Sequence, residues 1–243
     1  MQTAIKNHYQ QLHQYYRYLI NQGDLRSDDK LPSEREIGEQ FSLARITVRQ
    51  ALQTLEADGL IYRINRKGWF VSPPALKYNP AKWLSFIEYA SYQGFVPHTE
   101  VLHQSLVEAD NDIATLLKVD LGARLLHLHR RRSLNGRAVL IEHIFINPSL
   151  VPDIEQEDLS QSLTHLLRRN YGETYHSMDL SFKSTALPES AACELGVPAS
   201  LPGLHIQRTN ARSDGLVLEV DFEYWRHDAV TIDINMKGEH VIF

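Results

Sequence analysis

The chain has 243 residues, of which 43% are hydrophobic and 23% are charged, and its formal net charge is −5. The hydrophobic content excludes a disordered chain, and the length exceeds the commonest size of a single domain. One cysteine, Cys193, excludes an intrachain disulfide and a cysteine-rich metal site. Because no signal peptide or membrane-spanning run is evident, we expect a cytoplasmic protein with no membrane partner.

Two helices are predicted near the N-terminus. Apolar residues at helical spacing from Ile5 onward predict a first helix that ends at Gly23. A second helix is predicted to begin at Ser33, because Ser33 and Glu36 have the spacing of a capping box. Pro32 supports this start, since it holds the residue before it in extended geometry.

A third helix is predicted from Arg45 to the stop at Asp58-Gly59, where glycine suits a left-handed cap. Its outer face carries polar side chains, namely Arg45, Thr47, Arg49, Gln50 and Gln53. Such side chains, led by the positive end of the helix dipole, suit phosphates and base edges in a major groove. The short turn between the second and third helices therefore predicts a helix-turn-helix whose third helix reads DNA.

A two-stranded wing is predicted to follow. Alternating residues at 60–64 and an apolar run at 69–71 flank Asn65-Arg66-Lys67-Gly68, which predicts a hairpin with a cationic tip. Arg66, Lys67 and Gly68 are therefore expected at a phosphate or a minor groove. An arginine-bearing helix alone is more often a solvated surface element, but the ordered set of signals favours binding to double-stranded DNA.

Charge is unevenly distributed along the chain. Residues 1–72 contain ten Lys and Arg against eight Asp and Glu, a net charge of +2, and the remainder carries −7. This asymmetry places nucleic acid at the N-terminal end. Because +2 is a weak charge for a monomer, we expect a homodimer on a palindromic operator.

The rest of the chain mixes strands and helices. Two proline-rich stretches, Ser72-Pro73-Pro74 and Asn79-Pro80, predict an irregular linker at 73–82 between a first domain at 1–72 and a second at 83–243. Helices are predicted at 85–93, 110–117, 162–171 and 189–195, and strands at 99–108, 125–134, 138–146, 176–185, 203–213, 216–225 and 229–235. With hairpin signals at Asn135-Gly136 and Asp214-Gly215, this pattern predicts an α+β domain on an antiparallel sheet.

The segment from Leu31 to Val71 resembles the DNA-binding domain of the GntR family of bacterial transcriptional regulators. The resemblance implies that operator DNA is touched by Arg35, Arg45, Thr47, Arg49 and Gly68. Ala44 departs from the family pattern, which usually has serine there, and the lost contact is worth about 1 kcal/mol.

The second half resembles the ligand-sensing UTRA domain of the HutC subfamily, whose fold is like that of chorismate lyase. The resemblance is carried by Arg130-Arg131-Arg132, Asn135-Gly136-Arg137-Ala138 and residues 223–228. Shorter blocks, Gly68-Trp69-Phe70-Val71 and Leu180-Ser181-Phe182, look most like the regulators of 2-aminoethylphosphonate utilisation. The resemblance implies a repressor, not an enzyme, that needs no cofactor and responds to a small anionic effector such as a phosphonate.

The residues also point to an anion site. Arg130 and Arg132 lie two apart on a predicted strand, so both leave the face opposite Arg131, and paired guanidinium groups match a phosphate or phosphonate. The alternative is that they pair with sheet carboxylates on a wet face. The resemblance adds further effector contacts, namely Ser85 and Phe86 at a helix N-terminus, Ser162, and Thr164 and Trp225 in place of tyrosines. Glu142 and Glu219 are candidates for an amine or hydroxyl, or are structural strand carboxylates.

Other functions have weaker signals. His127 and His129 share a strand face, but no further ligand stands at metal-binding spacing, so we expect no metal and place them in the core or a dimer face. His227 near Asp228 invites a hydrolase interpretation, yet no nucleophile elbow accompanies it. A sugar phosphate or a histidine-pathway-type metabolite is the alternative effector. The alternative classes of protein are a lyase-like enzyme and a sequence-neutral chromosome-organising protein.

Overall fold

The computed structural model describes residues 2–199 and 201–234. The first domain begins with three helices, α1 (Gln2–Gln22), α2 (Glu34–Phe41) and α3 (Arg45–Ala57). The strands β1 (Ile61–Ile64) and β2 (Gly68–Val71) form an antiparallel hairpin. A shared core of Leu12, Ile37, Leu52, Ile61 and Trp69 joins all these elements, so the predicted winged helix-turn-helix is confirmed.

The start of α2 and the end of α3 are set by local chemistry. The side-chain oxygen of Ser33 accepts from the Glu36 amide, and the Glu36 carboxylate accepts from the Ser33 amide, which completes the predicted capping box. After α3, Gly59 has a φ of +73°, a left-handed conformation that glycine adopts without strain.

The predicted linker contains regular structure that its prolines had not indicated. Its residues Leu76–Tyr78 form β3, which pairs in parallel with β10 (Val230–Ile232), and Pro80–Lys82 form a short 3-10 turn. The strand exists because a distant segment supplies its hydrogen-bond partners. The domain boundaries themselves stay a prediction. Of the predicted last strand at 229–235, residue 235 lies outside the described residues.

The second domain is built on a six-stranded antiparallel sheet in the order β4-β5-β6-β9-β8-β7. The strands are β4 (Pro97–Glu108), β5 (Arg124–Leu134), β6 (Arg137–Ile146), β7 (Ser177–Ala186), β8 (Pro202–Ala211) and β9 (Val217–Arg226). The helices are α4 (Phe86–Tyr92), α5 (Asn111–Leu117), α6 (Leu163–Leu166), which continues in wider turns over Leu167–Tyr171, and α7 (Glu189–Leu195). The predicted α+β class and the antiparallel sheet are confirmed.

The helices cover the two faces of the sheet differently. On one face, which we call the inner face, α4 packs near Leu140 and Trp225, and α6 packs near Leu128 and Ile144. On the opposite, outer face, α5 and α7 form two separate apolar clusters with the sheet. The inner face is thus the one where a cavity is enclosed between sheet and helices.

A charged contact joins the two domains. Asp228, just after β9, forms ion pairs with Arg137 and Arg226, and both guanidinium groups stack on the ring of Tyr62 in β1. His227 lies 2.7 Å from the backbone oxygen of Glu56 at the end of α3 and 3.1 Å from that of Pro202. His227 and Asp228 therefore connect the second domain to α3 and the wing, rather than forming the hydrolase pair that their proximity suggests in the sequence.

Candidate functional site

The first domain presents a basic groove. It lies between α2, the start of α3 and the wing, and has a volume of about 700 Å³. Six of the eight residues predicted to bind DNA line it, namely Arg35, Arg45, Arg49, Arg66, Lys67 and Gly68. The fold thus brings the α3 arginines and the wing tip to one surface, as a DNA-reading head requires.

Two of these arginines are held by one acid. Arg49 Nη2 lies 2.9 Å and Arg45 Nε lies 3.2 Å from the same oxygen of Glu34. The hydrogen bond from Arg49 lowers the pKa of Glu34, so the acid stays ionised. Glu34 therefore holds both side chains at the groove when no DNA is present.

The remaining predicted contacts of α3 differ in exposure. Gln50 is exposed beside Arg49, whereas Thr47 is only 8% exposed and packs with the apolar side of the helix. Little of the Thr47 side chain is therefore open to DNA. Ala44 precedes α3 without any side-chain cap, in keeping with its departure from the family pattern.

The second domain encloses a cavity of about 60 Å³ on the inner face of the sheet, which we call the central cavity. All nine residues predicted to contact an effector line it, namely Ser85, Phe86, Arg130, Arg132, Glu142, Ser162, Thr164, Glu219 and Trp225. Three strands supply five of them, and the starts of two helices supply the other four, from positions far apart in sequence. The structure thus brings the predicted set together around one cavity.

The two arginines are not free guanidinium groups. Arg130 pairs with Glu142, and Arg132 Nε lies 2.8 Å from the same carboxylate oxygen in an ion pair without hydrogen-bond geometry. Arg130 is 1% exposed and also donates to the backbone oxygens of Leu159 and Gln161. Burial acts to raise the pKa of Glu142, but the two positive charges outweigh it and the net pKa is lowered.

This arrangement combines the two alternatives left open by the sequence. The arginines do leave the same face, opposite Arg131, which pairs with Glu100 instead. They also pair with a sheet carboxylate, but that face is buried rather than wet. Arg132 still stacks on the ring of Phe86, with 4.9 Å between its guanidinium carbon and the ring centroid, at the wall of the central cavity.

Sequence reasoning missed the acidic side of the cavity. Along β9 the residues Glu219, Asp221, Glu223 and Trp225 alternate onto the inner face, and Asp221 and Glu223 had not been singled out. The alternation itself was the signal, because every second residue of a strand shares a face. Arg208, from the neighbouring β8, was also missed; it pairs with Glu223.

Asp221 is the least satisfied of these groups. It is 5% exposed, its Oδ1 atom has no hydrogen-bond partner among the described residues, and no ion pair there includes it. Burial raises its pKa well above the ordinary value, and the negative charges of Glu142 and Glu223 raise it further. The central cavity therefore contains a carboxyl group that gains from a positively charged or donating partner.

The helical wall of the cavity carries the remaining predicted contacts. Ser85 caps α4, and its amide and hydroxyl both donate to Glu88, at 2.9 and 2.8 Å. The Ser85 amide is thus already bonded within the protein, so it is not one of the free amides that a helix N-terminus offers to an anion. Ser162 caps α6 in a similar way by accepting from the His165 amide.

The outer face carries the histidines that had been weighed as metal ligands. His127 and His129 flank His143, whose ring is stacked on that of His129 with 4.1 Å between the centroids. His129 also lies 2.9 Å from a carboxylate oxygen of Glu194. No cluster of three or more potential ligands that could hold a metal ion occurs within residues 2–199 and 201–234.

Acid is expected to weaken the fold through His143. Burial, followed by the charges of His129 and His127, lowers its pKa from 6.5 to about 4. Below pH 6.5 the unfolded chain takes up a proton that the folded chain does not, so stability is lost as the pH falls toward 4. At pH 5 this group costs about 2 kcal/mol.

Replacing His143 by phenylalanine should remove this cost. Thermal unfolding of His143→Phe between pH 7 and pH 5 is expected to show a smaller drop in midpoint than the unmodified protein. The control is His98→Phe, which removes an exposed histidine of β4. An equal drop in both variants would contradict the role of His143.

No helix within the described residues is long and apolar enough to cross a membrane.

The geometry as a whole defines a class of protein. A winged helix-turn-helix with arginines at its groove is joined to a sheet domain with an enclosed, charged cavity. This is the arrangement of a DNA-binding regulator that senses a small molecule.

Comparison with known protein families agrees with this class. Residues 8–71 match the model described as bacterial regulatory proteins, gntR family, and residues 92–231 match the UTRA domain. The chain therefore belongs to the GntR family, with a UTRA domain as its second part, and it is a transcriptional regulator rather than an enzyme.

Individual relatives extend over most of the chain. The transcriptional regulator YihL of Escherichia coli is 33% identical over 85% of this chain and 88% of its own length. The transcriptional repressor NagR of Bacillus subtilis is 30% identical over 92% of both chains. The crystal structure of PhnF from Mycobacterium smegmatis superposes with a TM-score of 0.67 at 28% identity, over 93% of this chain and 99% of that one.

Proposed function

We propose that this regulator is a repressor that binds a palindromic operator as a homodimer and leaves it when a small phosphonate occupies the central cavity. The observation that carries the effector proposal is the meeting of Arg130, Arg132 and Arg208 with four carboxylates around one small enclosed space. NagR and PhnF are both named as repressors, which supports the sign of regulation. A protein with this role acts in the cytoplasm, beside the DNA.

The charges that line the cavity favour an effector that carries both a positive and a negative group. Its three arginines are already matched by Glu142, Glu219 and Glu223, so a purely anionic ligand would meet as much negative as positive charge. An aminophosphonate places its phosphonate near Arg132 and its ammonium near Asp221, which has no ion-pair partner in the described chain. The amine role first considered for Glu142 is less suitable, since that acid already holds two arginines.

The size of the cavity favours a small effector. A volume of about 60 Å³ suits a ligand of few atoms, whereas a sugar phosphate would require α4 or α6 to move. The ring of Trp225, buried against Phe86 and bonded through Nε1 to Glu223, also fills the space at one end. These features support a short-chain phosphonate over a sugar phosphate.

Binding of the effector is testable by thermal shift on the full-length protein. The probes are 2-aminoethylphosphonate, ethylphosphonate, inorganic phosphate, glucosamine 6-phosphate and urocanate. We expect 2-aminoethylphosphonate to raise the unfolding midpoint most. A ligand at about 100 times its Kd stabilises the folded state by about 2.7 kcal/mol. The same compound should lower the affinity for operator DNA.

Variants locate the site. Arg132→Ala is expected to abolish the shift, and Thr164→Tyr, which narrows the cavity without removing an ion pair, should reduce it. Arg131→Ala, on the opposite face, is the matched control and should respond normally. If Arg132→Ala shows the full shift in unfolding midpoint, then the effector binds elsewhere. If only urocanate or glucosamine 6-phosphate gives a shift that depends on Arg132, then the phosphonate assignment is wrong.

A further inference from the structure

Ile46 is the most exposed of the large hydrophobic side chains in the described chain, at 79%. It is the second residue of α3, between the two arginines that Glu34 holds at the groove. An isoleucine that keeps most of its surface in water adds little to folding, and this one stands in the first turn of the predicted reading helix.

The geometry of α3 shows which way Ile46 points. The buried residues of the helix are Thr47, Val48, Ala51, Leu52 and Leu55. At about 100° per residue, Ile46 lies about 180° from the centre of that buried stripe. Arg49, Gln50 and Gln53 flank it on the exposed side. Ile46 is therefore at the middle of the outer face of the helix.

An isoleucine at this position does not stabilise the helix itself. A β-branched side chain has lower helix propensity than alanine, because its χ1 angle is restricted against the preceding turn. Ile46 has neither a partner in the core nor a capping role at this position. Its side chain is therefore available to whatever the outer face of α3 meets.

DNA in the major groove offers one kind of apolar group. The bases present hydrogen-bond donors and acceptors there, and the C5 methyl of thymine is the hydrophobic exception. Residues in the first turn of a reading helix are those that reach base edges. We propose that Ile46 packs on a thymine methyl in each operator half-site and so determines one base of the recognised sequence. This inference rests on α3 being the reading helix.

The test removes each partner of the proposed contact in turn, the thymine methyl from the DNA and the Ile46 side chain from the protein. The operator is first selected from random duplexes with the full-length protein, and each thymine is then replaced singly by uracil, which lacks only the methyl. Affinity is measured by fluorescence anisotropy at fixed salt. For the unmodified protein we expect one thymine in each half-site whose replacement weakens binding about four-fold, the value of burying one methyl-sized group.

In Ile46→Ala the same uracil substitution should have no effect, while binding to the thymine duplex is already weaker. Its thermal unfolding midpoint should be no lower than that of the unmodified protein, since the side chain is not part of the core. Leu121→Ala, which truncates another exposed aliphatic residue at 66% exposure, is the control and should keep full uracil sensitivity.

Two results would overturn the proposal. One is that no single uracil weakens binding by the unmodified protein, and the other is that Ile46→Ala remains sensitive to the same uracil. Failure of α3 as the reading helix is recognised separately, because Arg49→Ala would then bind the selected duplex normally.

Discussion

Replacing Glu142 by glutamine is expected to lower the free energy of unfolding of the sensing domain by about 3 to 5 kcal/mol, because removal of one partner leaves buried charges uncompensated. Glu142 lies between Arg130 and Arg132 on the inner face of the sheet, and all three side chains are buried. Glutamine keeps the shape of the side chain but removes its charge. The measurement is urea denaturation at pH 7, followed by circular dichroism.

The control for this variant is Glu100→Gln. Glu100 pairs with Arg131 at 2.6 Å, but that pair is partly exposed to solvent, so its loss should cost less than about 1 kcal/mol. A cost for Glu142→Gln as small as that for Glu100→Gln would show that Arg130 and Arg132 do not depend on this carboxylate.

The same variant bears on the nature of the cavity. With Glu142 neutral, the two guanidinium groups are available to an anion, and we expect inorganic phosphate to stabilise Glu142→Gln more than the unmodified protein. If phosphate stabilises both proteins equally, then the arginines do not form an anion subsite.

Arg49→Ala is expected to weaken binding to the selected operator by about 1 to 3 kcal/mol for each reading head, at least ten-fold in affinity at fixed salt. Arg49 stands on the outer face of α3 and is held at the groove by Glu34. Its removal eliminates a contact to a base or phosphate and also leaves the charge of Glu34 facing the DNA.

A salt titration distinguishes the kind of contact that is lost. A phosphate contact reduces the slope of log affinity against log salt by about 1, whereas a base contact leaves the slope largely unchanged and relaxes specificity at one position. Arg124→Ala is the matched control, because it removes the same charge from an exposed site in the second domain. Equal affinities for Arg49→Ala and Arg124→Ala would show that α3 does not read the operator.

The features that the sequence predicted best are those with local causes. The capping box at Ser33 and Glu36, the glycine stop after α3 and the turn at Asn135-Gly136 depend on residues a few positions apart. Alternation within β5 correctly placed Arg130 and Arg132 on one face and Arg131 on the other, because the side-chain period of a strand is two residues. The family resemblance followed from the same local blocks.

By itself, then, the sequence predicted the reading head, the strands of the six-stranded sheet and nine of the residues around the cavity. Only the tertiary structure decided what those residues do to one another. Neither the parallel pairing of β3 with β10 nor the adjacency of β6 and β9 has a local signal, because both join segments far apart in the chain. The pairing of β6 with β9 places Glu142 beside Glu223, while Asp221 has no ion-pair partner in the described chain. The site that the sequence predicted to bind an anion is therefore a cavity of mixed charge.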